Sequence, residues 1–429
     1  MFWLVLVLGL ALTALTGAPV GIGLALTGLV ILHFLVGGMS DLAVTAVYNV
    51  FTSFTLSAVP IFIFLGHIMM ASGLSDRLYT ALTPLFQRIP GKLLHTNIAV
   101  CMLFGAVSGA SMSTAAAVGS VAYPEMKKRG YDRAAVVGTL AAGGTLGLLI
   151  PPSLALLIYG ATMEVSIGQL FLAGILPGVM LAGFMMVVIL FLNLLRRDLT
   201  PDEHERMPLP AILRGFLAIW PLPILIFAVI GTIYMGWATP TEAAALGVAA
   251  AIIVGFLWGD LTLQKLWQSF VASVLTFGAV AFVVLGALIL AQAVSVLGIP
   301  REVIGAISEY DVSPYMVLAF VVVVYIALGC FFDGISLMLI TLPIVFPVLV
   351  GLGFDPVWLG VIITILIEIG MLTPPVGINL YVIVGITKGD VSLGEASKAA
   401  FPYWLVLLFG VLILTIWPQI ALFLPSMMN

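Results

Sequence analysis

Two sets of residues in this chain have the types and spacing to do chemistry in an apolar setting. The first is the hydroxyl-rich run Ser108-Gly109-Ala110-Ser111-Met112-Ser113-Thr114, followed by Gly143-Gly144-Thr145-Leu146-Gly147-Leu148-Leu149-Ile150-Pro151-Pro152-Ser153. The second is Phe332-Asp333-Gly334-Ile335-Ser336, followed by Glu368-Ile369-Gly370-Met371-Leu372-Thr373-Pro374-Pro375-Val376-Gly377. Paired prolines remove backbone donors and clash with the preceding turn, so each Pro-Pro pair predicts a helix broken in its middle. Breaks free carbonyl oxygens, which together with serine and threonine hydroxyls suit a small hard cation. The N-termini of the resulting half-helices suit a carboxylate.

The two sets are related by a repeat. Ser113, Pro124, Gly130, Asp132, Gly147, Leu149, Pro151 and Pro152 recur as Ser336, Pro347, Gly353, Asp355, Gly370, Leu372, Pro374 and Pro375, at one constant offset and without a gap. Most of these are turn formers and helix breakers rather than interchangeable apolar residues. Paired breakers in two halves of an apolar chain point to a transporter's binding site.

The elements that must hold these residues are membrane helices. The 429 residues are 62% hydrophobic and 8% charged, against about 25% charged in a soluble domain. A mean hydropathy of +1.27 predicts an all-α polytopic membrane protein, a single membrane domain with room for ten or more spans. Spans are expected near 2–16, 19–37, 44–72, 132–163, 169–195, 211–235, 240–258, 269–297, 357–386 and 400–424. The start, Met1-Phe2-Trp3, reads as the beginning of the first span rather than a signal peptide. Cys101 and Cys330 lie in apolar surroundings and read as small buried hydrophobes.

Two further apolar stretches, 95–126 and 315–351, carry the hydroxyl-rich run and the Asp333 run at their midpoints. Lys92 flanks the first on one side, and Lys127, Lys128 and Arg129 flank it on the other. By the positive-inside rule both its ends are cytoplasmic, which makes it a re-entrant hairpin. The second stretch has no lysine or arginine at its flanks, Tyr310-Asp311-Val312-Ser313-Pro314 and Gly353-Phe354-Asp355-Pro356, so both ends belong outside. Counting spans through Arg196 and Arg197, then Lys265, reaches the same placement. The hairpins therefore enter from opposite faces, the halves form an inverted repeat, and both chain termini fall outside.

Each feature has a plainer reading. Small residues at 108–114 also serve helix packing, and a single Pro-Pro pair is a kink; the matched second copy of both favours a site. Asp333 and Glu368 are intramembrane acids, functional by default because burying charge is costly. Asp333 ranks ahead because it lies in a hairpin tip. Their first-half counterparts are Ala110 and Thr145, so any chemistry carried by these acids is asymmetric. His33, His67 and His95 lack metal-ligand spacing and read as satisfied structural histidines, and His204-Glu205 lacks a second zinc-binding histidine. The run from Thr200 to Arg206 is a solvated loop. Tyr79–Gln87 and Arg301–Glu309 occupy matched positions, as amphipathic arms or plain connecting loops.

The run Phe104-Gly105-Ala106-Val107-Ser108-Gly109-Ala110-Ser111 resembles the large membrane subunit of the tripartite ATP-independent periplasmic (TRAP) transporters. So do Gly130-Tyr131, Gly143-Gly144-Thr145-Leu146-Gly147 with Pro151-Pro152-Ser153, and Leu176-Pro177-Gly178. The likeness spans essentially the whole chain, from Gly17-Ala18-Pro19-Val20-Gly21 to the last span. It implies an elevator-type secondary transporter of the ion-transporter superfamily, not an enzyme. Residues 1–94 would be N-terminal scaffold and arm, 95–195 the first transport half, 196–314 the second scaffold part and arm, and 315–429 the second transport half.

The resemblance further implies two or more sodium ions per cycle and no organic cofactor. One site would draw on Ser108, Gly109, Ser111, Gly144, Gly147 and Pro151, the other on Asp333, Gly334, Gly370, Thr373 and Pro374. Substrate would sit between the tips, near Ser108, Ser111, Ser113, Thr114, Asp333, Ser336 and Gly377. The implied partners are a separate small membrane subunit, a periplasmic binding protein and the lipid bilayer of a bacterial inner membrane, with no nucleic acid. The implied substrates are C4-dicarboxylates, sialic acids and other sugar acids, with sialic acid favoured on general likeness. No nucleotide-binding Gly-x-x-x-x-Gly-Lys run is present. The rivals are a stand-alone sodium- or proton-driven carboxylate carrier using Asp333 or Glu368, a hydrolase using Ser108 or Ser111, and an ion channel. The hydrolase lacks a base, because no histidine follows His204.

Overall fold

The computed structural model describes residues 1–52, 55–201, 217 and 219–428, and among these the regular structure is entirely helical. The chain begins with α1 (Phe2–Thr16), α2 (Val20–Val30, continued by a π-helical turn), α3 (Asp41–Thr52), α4 (Ala58–Ala71) and α5 (Leu74–Phe86). The first hairpin is α6 (Leu93–Ser108) and α7 (Ser111–Lys128); the first broken span is α8 (Arg133–Leu149) and α9 (Leu154–Met163). Then come α10 (Ile167–Leu195), α11 (Pro221–Ile226), α12 (Thr232–Tyr234), α13 (Pro240–Leu257) and α14 (Leu263–Val296). The second half repeats the pattern with an arm α15 (Ile299–Glu309), a hairpin α16 (Pro314–Gly329) and α17 (Gly334–Gly351), and a broken span α18 (Pro356–Leu372) and α19 (Ile378–Thr387). The chain closes with α20 (Leu393–Ile416) and α21 (Gln419–Ser426).

Both hairpins and both broken spans thus lie where the sequence puts them. Two expected spans are divided instead. The stretch 44–72 becomes α3 and α4 joined through a short turn, Thr55–Ser57. Thr52 donates back to the Tyr48 carbonyl at 3.0 Å at the end of α3, and α4 starts afresh just before Pro60. Likewise 400–424 ends early, because α20 stops at Ile416 and Pro418 caps the short α21. Part of the expected span 211–235, and the loop from 202 to His204, Glu205 and Arg206, lie outside the described residues. The two arms are helices, not loops. Chain direction turns by 64° between α4 and α5.

Six helices or joined helix pairs among the described residues are long and apolar enough to cross a membrane, seven with the bent α4–α5 pair. The hairpin limbs α6 and α16, of 16 residues each, fall short of the roughly 20 residues that span a bilayer. Each hairpin packs on the broken span that follows it, α6 and α7 on α8, and α16 and α17 on α18. Glycine makes these contacts possible. A Cβ on Gly105 would lie 2.6 Å from the Gly147 Cα, and one on Gly329 would lie 2.6 Å from the Gly370 Cα.

The halves interlock end to end. α19 lies against α7 and α8, and at that end Asp390 accepts hydrogen bonds from Lys127 and from the Tyr123 hydroxyl (3.0 Å), with Arg133 3.6 Å away. At the opposite end the Tyr159 hydroxyl of α9 donates to the Pro356 carbonyl at 2.7 Å. The repeated acids Asp132 and Asp355 are helix caps, accepting from the amides of Ala135 and of Val357 and Trp358. Outside this core, α4 rests on α6, and α14, with a smaller contact from α2, rests on α17; α2, α3, α4, α13 and α14 pack together as the other unit.

Candidate functional site: the cleft between the hairpin tips

The two tips, both breaks and the facing helices converge on one cleft of about 240 Å³. Ser108, Ala110, Ser111, Met112 and Ser113 come from the first tip, and Asp333, Gly334 and Ile335 from the second. Leu148, Leu154 and Met371 come from the breaks, while Ile63, Gly66, His67, Met70 and Thr276 come from α4 and α14. A wider crevice of about 670 Å³ runs along Gly160–Gly168 and Thr239–Thr241 and touches neither tip.

The first tip is tightly determined. Gly109 ends α6 with φ +65°, a left-handed conformation that suits glycine. Its N–H donates to the Gly105 carbonyl at 2.9 Å, and its own carbonyl accepts from Leu154 N–H at 3.0 Å, tying tip to break. A Cβ there would lie 2.6 Å from the Pro152 carbonyl oxygen. Ser108 and Thr114 share a hydroxyl hydrogen bond of 2.6 Å. Ser113 and Thr114 both donate to the Ala110 carbonyl, at 3.1 and 2.8 Å. The break itself is buried: Ser153 caps α9 by accepting from Leu156 N–H and donates its hydroxyl to the Leu148 carbonyl.

The second tip is built differently. Asp333 caps α17, accepting from Ser336 N–H at 3.1 Å, whereas Ala110 at the first tip leaves α7 without a side-chain cap. Ser336 is buried on α17, away from the cleft wall, and Gly377 starts α19 with φ +53°. The Thr373 hydroxyl donates to the Ile369 carbonyl at 2.6 Å and accepts from the Trp404 indole at 3.0 Å. Pro374 and Pro375 are exposed, whereas Pro151 and Pro152 are buried. Glu368 is fully buried in α18, and neither carboxyl oxygen has a hydrogen-bond partner among the described residues.

Sequence reasoning missed several residues. Asn379 donates to Ser111 Oγ at 2.5 Å and to the Ala141 carbonyl at 3.4 Å, crossing from the second break to the first tip. A lone amide two residues past Gly377 in an apolar run is the signal that could have found it. Gly66 brings α4 against the first tip, where a Cβ would lie 2.7 Å from the Ser108 carbonyl oxygen. His67 is satisfied by Thr276 at 3.3 Å, as a structural histidine should be, yet both residues line the cleft. His95 Nε2 donates to the Pro90 carbonyl at 2.8 Å, and its ring stacks on Phe86.

The donor set at the first break is all oxygen: the carbonyls of Ala110 and Pro152 with the Ser108 and Thr114 hydroxyls crowd Gly109 and Gly147. That chemistry fits a hard monovalent cation. No cluster of three His, Cys, Asp or Glu side chains occurs among the described residues. Neither candidate nucleophile has a base: Ser108 bonds Thr114, and Ser111 accepts from Asn379.

Comparison with known proteins agrees with this architecture. Residues 7–420 match the family model described as tripartite ATP-independent periplasmic transporter, DctM component. The chain is 35% identical, over 94% of its length and 93% of the relative, to the C4-dicarboxylate TRAP transporter large permease protein DctM of Pseudomonas aeruginosa. It is 31% identical to the sialic acid TRAP transporter large permease protein SiaM of Vibrio cholerae, over 96% and 95% of the two chains. In fold it resembles the YdaH transporter of Alcanivorax borkumensis, with a TM-score of 0.65 at 17% identity over 89% of each chain.

Proposed function

This chain belongs to the DctM family as a TRAP transporter large permease, and from that premise we propose that it imports an organic acid by sodium-coupled, elevator-type alternating access. The single observation that carries the reading is the cleft, where two opposed hairpin tips and two broken helices meet two helices of the other unit. Family membership makes the chain a multi-pass membrane transporter and not an enzyme.

In the proposed cycle the hairpins and broken spans move as one body past a fixed unit built on α2, α4, α13 and α14. The arms α5 and α15 link the two. Sodium ions would be held at the first break by Ser108, Gly109, Ser111, Gly144, Gly147 and Pro151, and at the second by Asp333, Gly334, Gly370, Thr373 and Pro374. Bound cations supply the charge that lets an anion occupy a cleft lined by no lysine or arginine. Energy comes from the sodium gradient and the membrane potential, about 2.3 kcal/mol per unit charge per 100 mV. A small membrane subunit and a periplasmic binding protein complete the transporter in a bacterial inner membrane, with both termini of this chain outside. The named relatives make C4-dicarboxylates and sialic acid the first substrate classes to assay.

Uptake into proteoliposomes holding this chain and its small subunit tests the proposal, with and without an inward sodium gradient and the binding protein. Uptake that needs both supports it; sodium-independent uptake without the binding protein favours the stand-alone carrier. Glu368, buried and unpartnered, favours one alternative in particular, coupling to protons. Uptake driven by an inward pH gradient alone, and lost in Glu368→Gln, would establish that alternative.

A further inference from the structure

Resting on the transport reading, we propose that the cleft selects a small monocarboxylate with an apolar body and seats its carboxylate against the start of α7. Size is the first reason. The cleft holds about 240 Å³, below the roughly 300–1,000 Å³ that encloses drug-sized ligands. Lining chemistry is the second. Ile63, Met70, Met112, Leu154, Ile335 and Met371 lead the apolar side chains of the wall, and among the described residues no lysine, arginine, asparagine or glutamine lines it.

The polar groups of the wall are largely engaged within the protein. Ser108 bonds Thr114, Ser113 donates to the Ala110 carbonyl, Thr276 donates to the Ala272 carbonyl, and Asp333 caps α17. A polyhydroxylated sugar acid would leave several hydroxyls unpaired in this setting, each at a cost. A second carboxylate would find no lysine or arginine among the described residues of the wall and would share the cleft with Asp333.

One hydroxyl is placed differently. Ser111 is 2% exposed, and its oxygen accepts from Asn379, whose amide is oriented by its second bond to the Ala141 carbonyl. Its hydroxyl hydrogen then has no acceptor among the described residues, while the side chain lines the cleft. Beside it are the first-turn amides of α7, a helix with no side-chain cap, whereas Ser153 and Asp333 cap α9 and α17. A carboxylate here receives the Ser111 hydroxyl and the free amides in charge-assisted bonds. The rest of the molecule then lies on methionine and isoleucine side chains.

Thermal-shift titration of the purified full chain in sodium chloride tests this with ketoisovalerate, succinate and N-acetylneuraminate as probes. Ketoisovalerate is expected to bind about tenfold or more tightly than either other acid. Ser111→Ala is expected to lose about tenfold in that affinity, and Ser111→Thr, which keeps the hydroxyl, to retain most of it, each read as the shift from that variant's own unliganded melting temperature. Tighter binding of succinate or N-acetylneuraminate overturns the proposal and leaves the transport reading standing. Failure of all three acids to bind overturns the proposal, while the proteoliposome uptake assay decides the transport reading separately. Unchanged ketoisovalerate affinity in Ser111→Ala also overturns it, since the carboxylate then sits elsewhere.

Discussion

Asn379 and Ser111 are 268 residues apart in the chain and 2.5 Å apart at their side chains. That contact aims the Ser111 hydroxyl, so Asn379 is a positioning residue rather than part of the wall. Removing a buried hydrogen-bond partner costs about 1–3 kcal/mol, so Asn379→Ala is expected to raise the KM for substrate about tenfold or more. A purely structural role would lower maximal uptake and leave KM unchanged. Asp333 caps α17, and the sodium role proposed for it is separable from capping, since asparagine caps helices about as well as aspartate. Asp333→Asn is expected to keep the melting temperature but lose sodium-dependent uptake, whereas Asp333→Ala should also lose about 0.5–2 kcal/mol of stability. Full sodium-dependent uptake by Asp333→Asn would reduce Asp333 to a cap.

At the scale of elements, glycine pairs let each hairpin touch its broken span. Gly105→Ala places a Cβ 2.6 Å from the Gly147 Cα, and Gly370→Ala places one 2.7 Å from the Gly329 Cα, with backbone on the far side in both cases. Each is expected to cost about 1–3 kcal/mol, read as a lowered melting temperature. Tolerance of both would mean the hairpins pack more loosely than these distances require. The other inter-element device is the Asp390 cluster joining α7 to the end of α19. The hydrogen bond from Lys127, then that from Tyr123, holds the Asp390 carboxyl below the usual aspartate range. A depressed carboxylate stabilises fully above its unfolded pKa of about 3.9 and loses that contribution as pH falls through the folded value. Acidification below about pH 4 should therefore lower the melting temperature more in the wild type than in Asp390→Asn. Equal acid sensitivity would show that the cluster does not hold the halves together.

For the whole molecule, the contact between Gly66 of α4 and Ser108 of the first tip lies where the proposed moving body meets the proposed fixed one. A Cβ on Gly66 would lie 2.7 Å from the Ser108 carbonyl oxygen, so any larger residue there forces α4 and the tip apart. Gly66→Ala is therefore expected to lower uptake, measured in proteoliposomes. Undiminished uptake by Gly66→Ala would show that this close approach is not needed for transport. The length of α14, 34 residues or about 51 Å at 1.5 Å per residue, fits a fixed element that exceeds the bilayer core.

Much of this architecture is legible in one sequence because glycine and proline act locally. Pro151-Pro152 and Pro374-Pro375 break a helix whatever surrounds them, and Lys92 with Lys127, Lys128 and Arg129 brackets the first hairpin. The division of 44–72 was harder to see, because no glycine or proline stands between Thr52 and Ala58 to mark it. Asp333 was legible as an acid in a tip, but its capping bond depends on where α17 begins. What only the tertiary structure decided is which distant groups share the cleft. Asn379, Gly66, His67 and Thr276 reach the tips through helix packing between halves, and packing obeys shape and close approach rather than any spacing along the chain. The sequence by itself determined where the helices break and which oxygens the breaks offer. The fold decided that the opposed breaks face one another across a small, largely apolar space, because short hairpins must bury their tips against other helices to satisfy backbone that no lipid can.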